Sequence, residues 1–290
     1  MSIIHSPRPA AWNRVVRRGL AWAVALASLL PATTPALAQT QAQRDSARGP
    51  KTLFSRRDAY LGAGFAVLTV AMFPVDQRLA AHLQHSGAEK SHFLKNASRG
   101  FEYMADPGSI VIGVGLYGAG RLARWQNVAD LGLHGLEAVA LSGAITNVIK
   151  DLAGRARPYF TQDTSASNFA FGRGFKSGDY QSFPSGHTTA AFAAASAVTS
   201  ESQRWWPQGI WIVAPVMYGG ATMVGLSRMY NNKHWASDVV LGAGIGTFSG
   251  LKVVRYNHDH PGNFIDRVLL HVSVAPDGMG GARLAWSATP

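Results

Sequence analysis

Six apolar segments separated by polar stretches dominate the hydrophobic pattern of this chain. They are rich in Ala and Leu and poor in charge, a composition that favours helices. The segments lie at residues 60–74, 109–120, 131–149, 188–198, 209–226 and 235–254, and the first is expected to stop near Pro74. Over residues 75–104 apolar positions alternate with charges, which predicts short amphipathic helices. The pattern therefore predicts an all-α fold, a bundle of about six core helices within a domain at residues 59–260.

The N-terminal region has the layout of a secretory signal peptide. Four arginines precede an apolar run at residues 19–30, which is followed by Pro31 and then by Ala36-Leu37-Ala38. This order of basic, apolar and small residues predicts export with cleavage after Ala38, so that residues 1–38 are removed. An uncleaved membrane anchor is the alternative. Residues 39–58 are polar and charged and are predicted to form a flexible leader.

The C-terminal tail, residues 261–290, departs from the helical pattern. Short β-prone runs at 269–274 and 282–286 flank a turn at Pro276-Asp277-Gly278. This arrangement predicts a short β-hairpin. No catalytic motif falls within the tail.

Composition and charge indicate which kinds of ligand the protein can bind. The chain has no cysteine and a formal net charge of +11, which excludes a disulfide framework and thiol chemistry. A basic exported protein suits anionic substrates or an anionic membrane surface. Its basic residues are scattered and form no stripe interleaved with aromatic residues, which argues against nucleic-acid binding.

The sequence Pro184-Ser185-Gly186-His187 stands directly before the alanine-rich segment at 188–198. It predicts a tight turn that opens onto the first turn of a helix, where free backbone N–H groups attract anions. Gly186 allows a ligand to approach the backbone, and His187 can give or take a proton. The feature suits an anion site, although alone it is more often a helix cap.

Two further clusters strengthen this interpretation. Lys150 is followed after six residues by Arg157-Pro158, and Ser227-Arg228 is followed after five residues by His234 and then by Asp238. With Pro-Ser-Gly-His these clusters complete the three-part signature K-x6-R-P, P-S-G-H and S-R-x5-H-x3-D. The chain thus resembles the type 2 phosphatidic acid phosphatase superfamily, which includes bacterial class A acid phosphatases and vanadium haloperoxidases. The resemblance covers residues 60–254.

The chemistry of a phosphomonoester explains why such residues belong together. Its transition state spreads negative charge over three equatorial oxygens, so it needs fixed cations and N–H donors. Lys150, Arg157 and Arg228 can supply the cations, and each arginine can bind two oxygens. Ser185 and the N–H of Gly186 add donors at the helix start.

A nucleophile and a proton donor are also available. His234 and Asp238 are four residues apart, so they share one face of a helix, and the carboxylate can fix the tautomer of the imidazole. His187 is then left to protonate the leaving oxygen. Arg155 matches no position of the signature and is predicted to be a solvated charge, while His134 and Glu137 are interpreted as a core or interface pair.

The resemblance implies the same roles and an activity. His234 would form a phosphohistidine with Asp238 as its partner and His187 as general acid, and phosphate would be bound by Lys150, Arg157, Ser185, Gly186 and Arg228. The implied protein is an exported phosphatase, of the acid phosphatase or phosphatidate phosphatase type. It would need neither metal nor cofactor and would act on phosphorylated small molecules or lipids, such as phosphatidic acid or an isoprenoid pyrophosphate. The sequence leaves the substrate and the oligomeric state open.

Two alternatives to this function remain. In a vanadate-dependent haloperoxidase His234 would ligate vanadium, but those enzymes are considerably longer than this chain. A helical scaffold protein without activity would be expected to have a broken motif, and all three parts are intact.

The location has two interpretations, a periplasmic domain that contacts a membrane or an integral inner-membrane phosphatase. Several apolar runs hold only about 11 to 15 residues, whereas a membrane-spanning helix needs roughly 20. A cleaved signal peptide would also leave residue 39 outside, so that three crossings would bring Lys150 to the cytoplasmic side. These two arguments favour the soluble periplasmic form.

Overall fold

The structure is a computed structural model that describes residues 53–84, 92–160, 165–260 and 263, with the backbone of two strands, 272–276 and 282–286. The predicted signal peptide and most of the predicted leader lie outside the described residues. The described helices belong to one unit, Thr52–Pro290.

Seven α-helices make up most of the described part and confirm the all-α prediction. Their bounds are α1 Arg56–Leu83, α2 His92–Tyr103, α3 Ser109–Ala123, α4 Gln126–Ala153, α5 Gly186–Trp205, α6 Ile210–Tyr230 and α7 Ala236–Asp259. A kinked segment at Met104–Gly108, in which Asp106 has an extended backbone, joins α2 to α3. Short 3-10 turns lie at Arg173–Phe175, Gly178–Tyr180 and Pro207–Gly209. The six predicted segments correspond to α1 and α3–α7, and the amphipathic region supplies α2.

Helix α1 differs from its predicted bounds. It continues through Pro74 to Leu83, although proline inside a helix removes a hydrogen bond and costs about 3 kcal/mol. Packing of α1 against α7 offsets the cost of the proline. Phe65 packs against the backbone of Gly244, and Asp76 accepts a hydrogen bond from the N–H of Ser237. Tertiary contacts therefore extend a helix that local propensity would end.

Helix α7 packs closely against α5 through a stripe of glycines four residues apart. A Cβ atom at Gly242 would lie 2.7 Å from the carbonyl oxygen of Ser185, and one at Gly250 would lie 2.6 Å from that of Ala193. Both positions thus require glycine, because any side chain would collide with the backbone of α5. The register increases in the same direction along both helices, so α5 and α7 are parallel and begin at the same end of the bundle.

The described helices present apolar side chains at the surface. Five that are more than half exposed are Val67, Val111, Val148, Trp211 and Val216. Four segments are long and apolar enough to cross a membrane, namely Arg56–Leu83, Gln126–Ala153, Pro207–Tyr230 and Ala236–Asp259. The sequence estimate of 11 to 15 apolar residues was too short because glycines and polar residues continue each helix beyond its apolar run. These lengths favour the integral-membrane interpretation over the soluble one.

The tail contains the predicted hairpin. Strand β1, Val272–Pro276, pairs antiparallel with β2, Ala282–Trp286, with Val272 opposite Trp286. The second strand has its predicted bounds. The first extends to Pro276, which had been placed in the turn.

Candidate active site

Six of the eight predicted site residues line one cavity of about 820 Å³. It lies at the end of the bundle where α4 and α6 end and α5 and α7 begin. The six residues are Lys150, Arg157, Gly186, His187, Arg228 and His234. The other two, Ser185 and Asp238, are buried behind the cavity wall.

Three fixed cations face this cavity, and each is held in place by the protein. Lys150 closes α4 and donates from Nζ to the carbonyl oxygen of Gln181 at 2.7 Å. Arg157 donates from Nε to the carbonyl oxygen of Gly178 at 2.8 Å. A carbonyl oxygen orients each of these side chains without adding a negative charge, so both can still donate hydrogen bonds to an anionic ligand.

The third cation, Arg228, pairs with a carboxylate that the sequence analysis missed. Arg228 Nη1 lies 2.7 Å from Glu102 Oε1, and Asn231 donates to Glu102 Oε2 at 3.1 Å. Burial alone would raise the pKa of Glu102, but the hydrogen bond and the charge of Arg228 lower it below its ordinary value. Glu102 is therefore ionised and competes with an incoming phosphate for Arg228. It comes from α2, and no spacing in the sequence links it to the signature.

The ring of His234 is held in one tautomer. Its Nδ1 lies 2.7 Å from the carbonyl oxygen of Ser182, which can only accept, so Nδ1 carries the proton and Nε2 the lone pair. Nε2 lies 3.4 Å from Nη1 of Arg157. Burial lowers the pKa of His234 to about 3, with the charges of Lys150 and Arg157 adding to the effect and Asp238 opposing it. The imidazole is thus neutral with Nε2 beside the cations, as a nucleophile at phosphorus requires.

Asp238 supports His234 less directly than the four-residue spacing suggested. Its Oδ2 lies 3.5 Å from His234 Nδ1, beyond the nearer Ser182 carbonyl. The same oxygen accepts from the hydroxyl of Ser182 at 2.5 Å and from the N–H of Trp235 at 2.9 Å. Asp238 therefore fixes the two segments that hold the ring, residue 182 and the start of α7. Its own approach to the ring, at 3.5 Å, is longer than the 2.7 Å contact of the ring with Ser182.

Arg155 is the clearest error of the sequence analysis. It was predicted to be solvated, yet it is 0% exposed and pairs with both Asp238 and Asp76, the latter at 2.7 Å. It also donates to the carbonyl oxygen of Ala166 from two nitrogens, at 2.9 and 2.5 Å. The guanidinium carbon lies 4.9 to 5.8 Å from the centroids of four aromatic rings, those of Phe73, Phe169, Phe183 and Trp235.

A buried charge of this kind is tolerated only when it is paired and hydrogen-bonded. The partner Asp76 lies 79 positions away in α1, so no local spacing could have revealed the pairing. Through Arg155 the helix α1 is connected to the carboxylate behind His234.

The helix start at residues 185–187 has the predicted form, but Ser185 does not face the cavity as predicted. The Ser185 hydroxyl lies 2.8 Å from that of Thr188 and does not reach the cavity, so its role in binding phosphate stays a prediction. Gly186 and His187 do line the cavity. Burial and the charge of Arg228 lower the pKa of His187 to about 4, so it is neutral in the empty site near pH 7.

The model of the PAP2 superfamily matches residues 132–261, a range that includes all three parts of the signature. Residues 132–261 belong to the PAP2 superfamily. Within that range the family signature thus coincides with the cations and histidines that the fold brings to one cavity.

Among curated proteins, the chain is similar to three named lipid A 1-phosphatase. It is 37% identical over 39% of its length to the protein from Porphyromonas gingivalis, covering 20% of that protein. It is 31% identical over 43% of its length to the one from Rhizobium johnstonii and 30% identical over 52% to the one from Rhizobium etli, covering 47% and 57% of them. The chain thus spans between a fifth and three fifths of these relatives.

Among solved structures, the fold resembles a transmembrane PAP2 type phosphatidylglycerolphosphate phosphatase from Bacillus subtilis. The TM-score is 0.55 at 20% sequence identity, and the match covers 72% of this chain and 100% of that one. The likeness confirms the PAP2 fold of the helical part.

Proposed function

We propose that this PAP2 domain is a membrane-embedded phosphatase that removes a terminal phosphate from a lipid through a phosphohistidine at His234. The observation that carries the proposal is the position of Nε2 of His234, unprotonated and 3.4 Å from Arg157 in a cavity that also holds Lys150 and Arg228. A neutral nucleophile next to fixed cations suits attack on a phosphate dianion. The names of the relatives, all phosphatases of lipids, support it.

The reaction follows from this placement. Phosphate oxygens bind to Lys150, Arg157 and Arg228, the last in competition with Glu102. The Nε2 lone pair of His234 attacks phosphorus, a nitrogen–phosphorus bond forms, and the bond to the leaving oxygen breaks. His187, which takes up a proton when the phosphate dianion binds beside it, gives that proton to the leaving oxygen and becomes neutral imidazole. Water then attacks phosphorus with His187 as base, which releases inorganic phosphate and restores His234.

The walls of the cavity favour a lipid over a small soluble ester. The cavity is also lined by apolar residues of α3 and α4, among them Ile110, Val139 and Ala144. A second, apolar cavity of about 200 Å³ adjoins it and shares Ala105 and Ser109. Together with the four helices of membrane-spanning length, this arrangement suits a headgroup bound at the cations and an apolar chain lying between the helices. This substrate class agrees with the integral-membrane alternative and not with a soluble acid phosphatase.

The test is turnover by the full chain purified in detergent, without added metal. The substrates are phosphatidic acid, phosphatidylglycerolphosphate, a lipid A 1-phosphate and p-nitrophenyl phosphate. We expect phosphate release from at least one lipid at a kcat/KM at least about tenfold above that for the soluble ester. Acid quenching should trap a phosphoenzyme that is absent from His234→Gln. Turnover of the soluble ester alone would contradict the lipid assignment, and turnover by His234→Gln would contradict the mechanism.

A further inference from the structure

A second cluster of ionisable side chains lies at the opposite end of the bundle. His134 of α4, Glu201 of α5 and His258 of α7 bring two imidazole nitrogens and a carboxylate oxygen within 4.8 Å of one another. Glu201 Oε1 lies 2.5 Å from Nδ1 of His134 and 2.9 Å from Nε2 of His258. Lys150 and His134 belong to the same helix, roughly 24 Å apart along its axis, so the cluster is separate from the phosphate cavity.

The side chains of this cluster are largely buried, so they do not belong to the polar surface of the protein. His134 and Glu201 are each only 2% exposed, and the His258 side chain is one-quarter exposed. The two rings are nearly perpendicular, with centroids 5.4 Å apart, so their nitrogens converge on one carboxylate. Carboxylates and histidines this deep are found paired with each other or bound to a metal. Two further acids of α4, Asp130 and Glu137, also act electrostatically on His134 and make this corner attractive to a cation.

The ligand set suits a zinc-class ion. Two imidazole nitrogens and one carboxylate oxygen bind Zn²⁺ at about 2.0 to 2.2 Å and leave a fourth tetrahedral position for water. Three atoms around one ion at those distances lie roughly 3.3 Å apart. The two nitrogen–oxygen distances, 2.5 and 2.9 Å, must therefore lengthen by less than about 1 Å, while the two nitrogens stay within 4.8 Å of each other. The ring protons then move to the other nitrogen of each imidazole. A cavity of about 430 Å³ that His258 lines gives an ion and a water access from outside.

We propose that His134, Glu201 and His258 bind one Zn²⁺-class ion that clamps α4, α5 and α7 together at the end of the bundle remote from the phosphate cavity. Each ligand comes from a different helix, so the ion links three elements that are separate in sequence. Such an ion stabilises the folded chain because the unfolded chain has no preformed site. The role is structural, and the proposal does not depend on the phosphatase activity.

The test uses the full chain in detergent, stripped with a chelator and dialysed. Co²⁺ serves as a spectroscopic probe and Zn²⁺ as its competitor. We expect one Co²⁺ per chain with the visible absorption of a tetrahedral nitrogen–oxygen site, displaced by one equivalent of Zn²⁺. Saturating Zn²⁺ should raise Tm by about 5 °C. Absence of stoichiometric Co²⁺ or Zn²⁺ binding to the wild-type chain would overturn the proposal.

Variants locate the site. Glu201→Gln and His258→Ala should each weaken Zn²⁺ binding at least about 100-fold and abolish the Co²⁺ absorption. His258 lies at the partly exposed end of α7, so its replacement should leave the fold intact, which circular dichroism of the variant checks. His260→Ala is the matched control, because His260 is an exposed histidine two residues away and outside the cluster. Binding by Glu201→Gln and His258→Ala that equals that of His260→Ala would also overturn the proposal.

Discussion

The two ends of the helix bundle hold side-chain clusters of different chemistry. At one end Lys150, Arg157 and Arg228 face a cavity, and at the other Glu201 lies between two histidines. The parallel packing of α5 and α7 places both of their N-termini at the first end and both C-termini at the second. A helix is positive at its N-terminus and negative at its C-terminus, so α5 and α7 favour an anion where they begin and a cation where they end. Helices α4 and α6 run in the opposite direction and offset part of this field, so side chains decide the sign of the ligand at each end.

The largest effect expected at the phosphate end is that of His234→Ala. Removal of the nucleophile should lower kcat by at least about 10⁴-fold, because the remaining cations bind phosphate without accepting it. Zn²⁺ binding at the other end should be unchanged, which separates loss of chemistry from loss of fold. His260→Ala is the control. Turnover within tenfold of the wild type would remove His234 from its assigned role.

Arg155→Leu tests whether the phosphate end depends on the buried ion pairs. Two carboxylates would be left buried and unpaired, which should cost about 3 to 5 kcal/mol in the free energy of unfolding. Adding Asp76→Asn should recover part of this loss, because one unpaired charge is then removed. Arg204→Gln, at the exposed end of α5, should have little effect. A denaturant midpoint of Arg155→Leu equal to that of the control would show that the pairing is dispensable.

The pH dependence tests the assignment of His187. Its pKa of about 4 in the empty site lies below its ordinary value, so its protonated fraction and kcat/KM should fall as pH rises above 4. A bound phosphate dianion offsets Arg228 and Lys150 and raises that pKa. The decline of kcat should therefore occur about 1 to 2 pH units higher than that of kcat/KM.

His187→Asn separates this ionisation from that of the substrate. The variant should lose less activity on p-nitrophenyl phosphate, whose leaving group needs no proton, than on a lipid alcohol phosphate. An equal loss on both would contradict the role of His187 as general acid.

Glu102→Gln should have a smaller effect with the opposite sign. The carboxylate is one-third exposed and occupies Arg228, so its neutralisation frees a cation for phosphate. KM should fall about fivefold with kcat little changed. The control is Asp259→Asn, which neutralises a carboxylate at the end of the bundle remote from the cavity and should leave KM unchanged. An increase in KM would mean that Glu102 binds the substrate rather than competing with it.

The smallest effect on turnover is expected from Glu201→Gln. The cluster lies roughly 24 Å from the cations, so initial rates at 25 °C should stay within about twofold of the wild type while Zn²⁺ binding is lost. Phosphate release and Zn²⁺ titration, measured on the same preparation, check the turnover and the loss of Zn²⁺ binding. A loss of turnover equal to that in His234→Ala would show that the two ends act as one site.

The sequence predicted those site residues that belong to a motif with fixed spacing. The fold brings Lys150, His187 and His234 together as the signature indicated, and the six apolar segments became six of the helices. Arg155 and Glu102 were missed or misassigned because their partners, Asp76 and Arg228, are distant in the chain and follow no period. The length of α1 was underestimated because proline was given more weight than the packing of α1 on α7. Long-range pairing and packing therefore account for the part of the site that local patterns do not contain.

The direction of α1 determines which lipids the cavity can reach if the chain is membrane-embedded as proposed. The helix begins beside Lys252, which pairs with Asp58, and reaches the cavity end at Asp76. The start of α1 therefore lies across the bilayer from the cavity. If Arg56 is on the cytoplasmic side, the cavity opens to the outer leaflet; if Arg56 is on the outer side, as a cleaved signal peptide requires, the cavity opens to the inner one. The same catalytic end can thus process either leaflet, and the side of the membrane on which Arg56 lies decides between them.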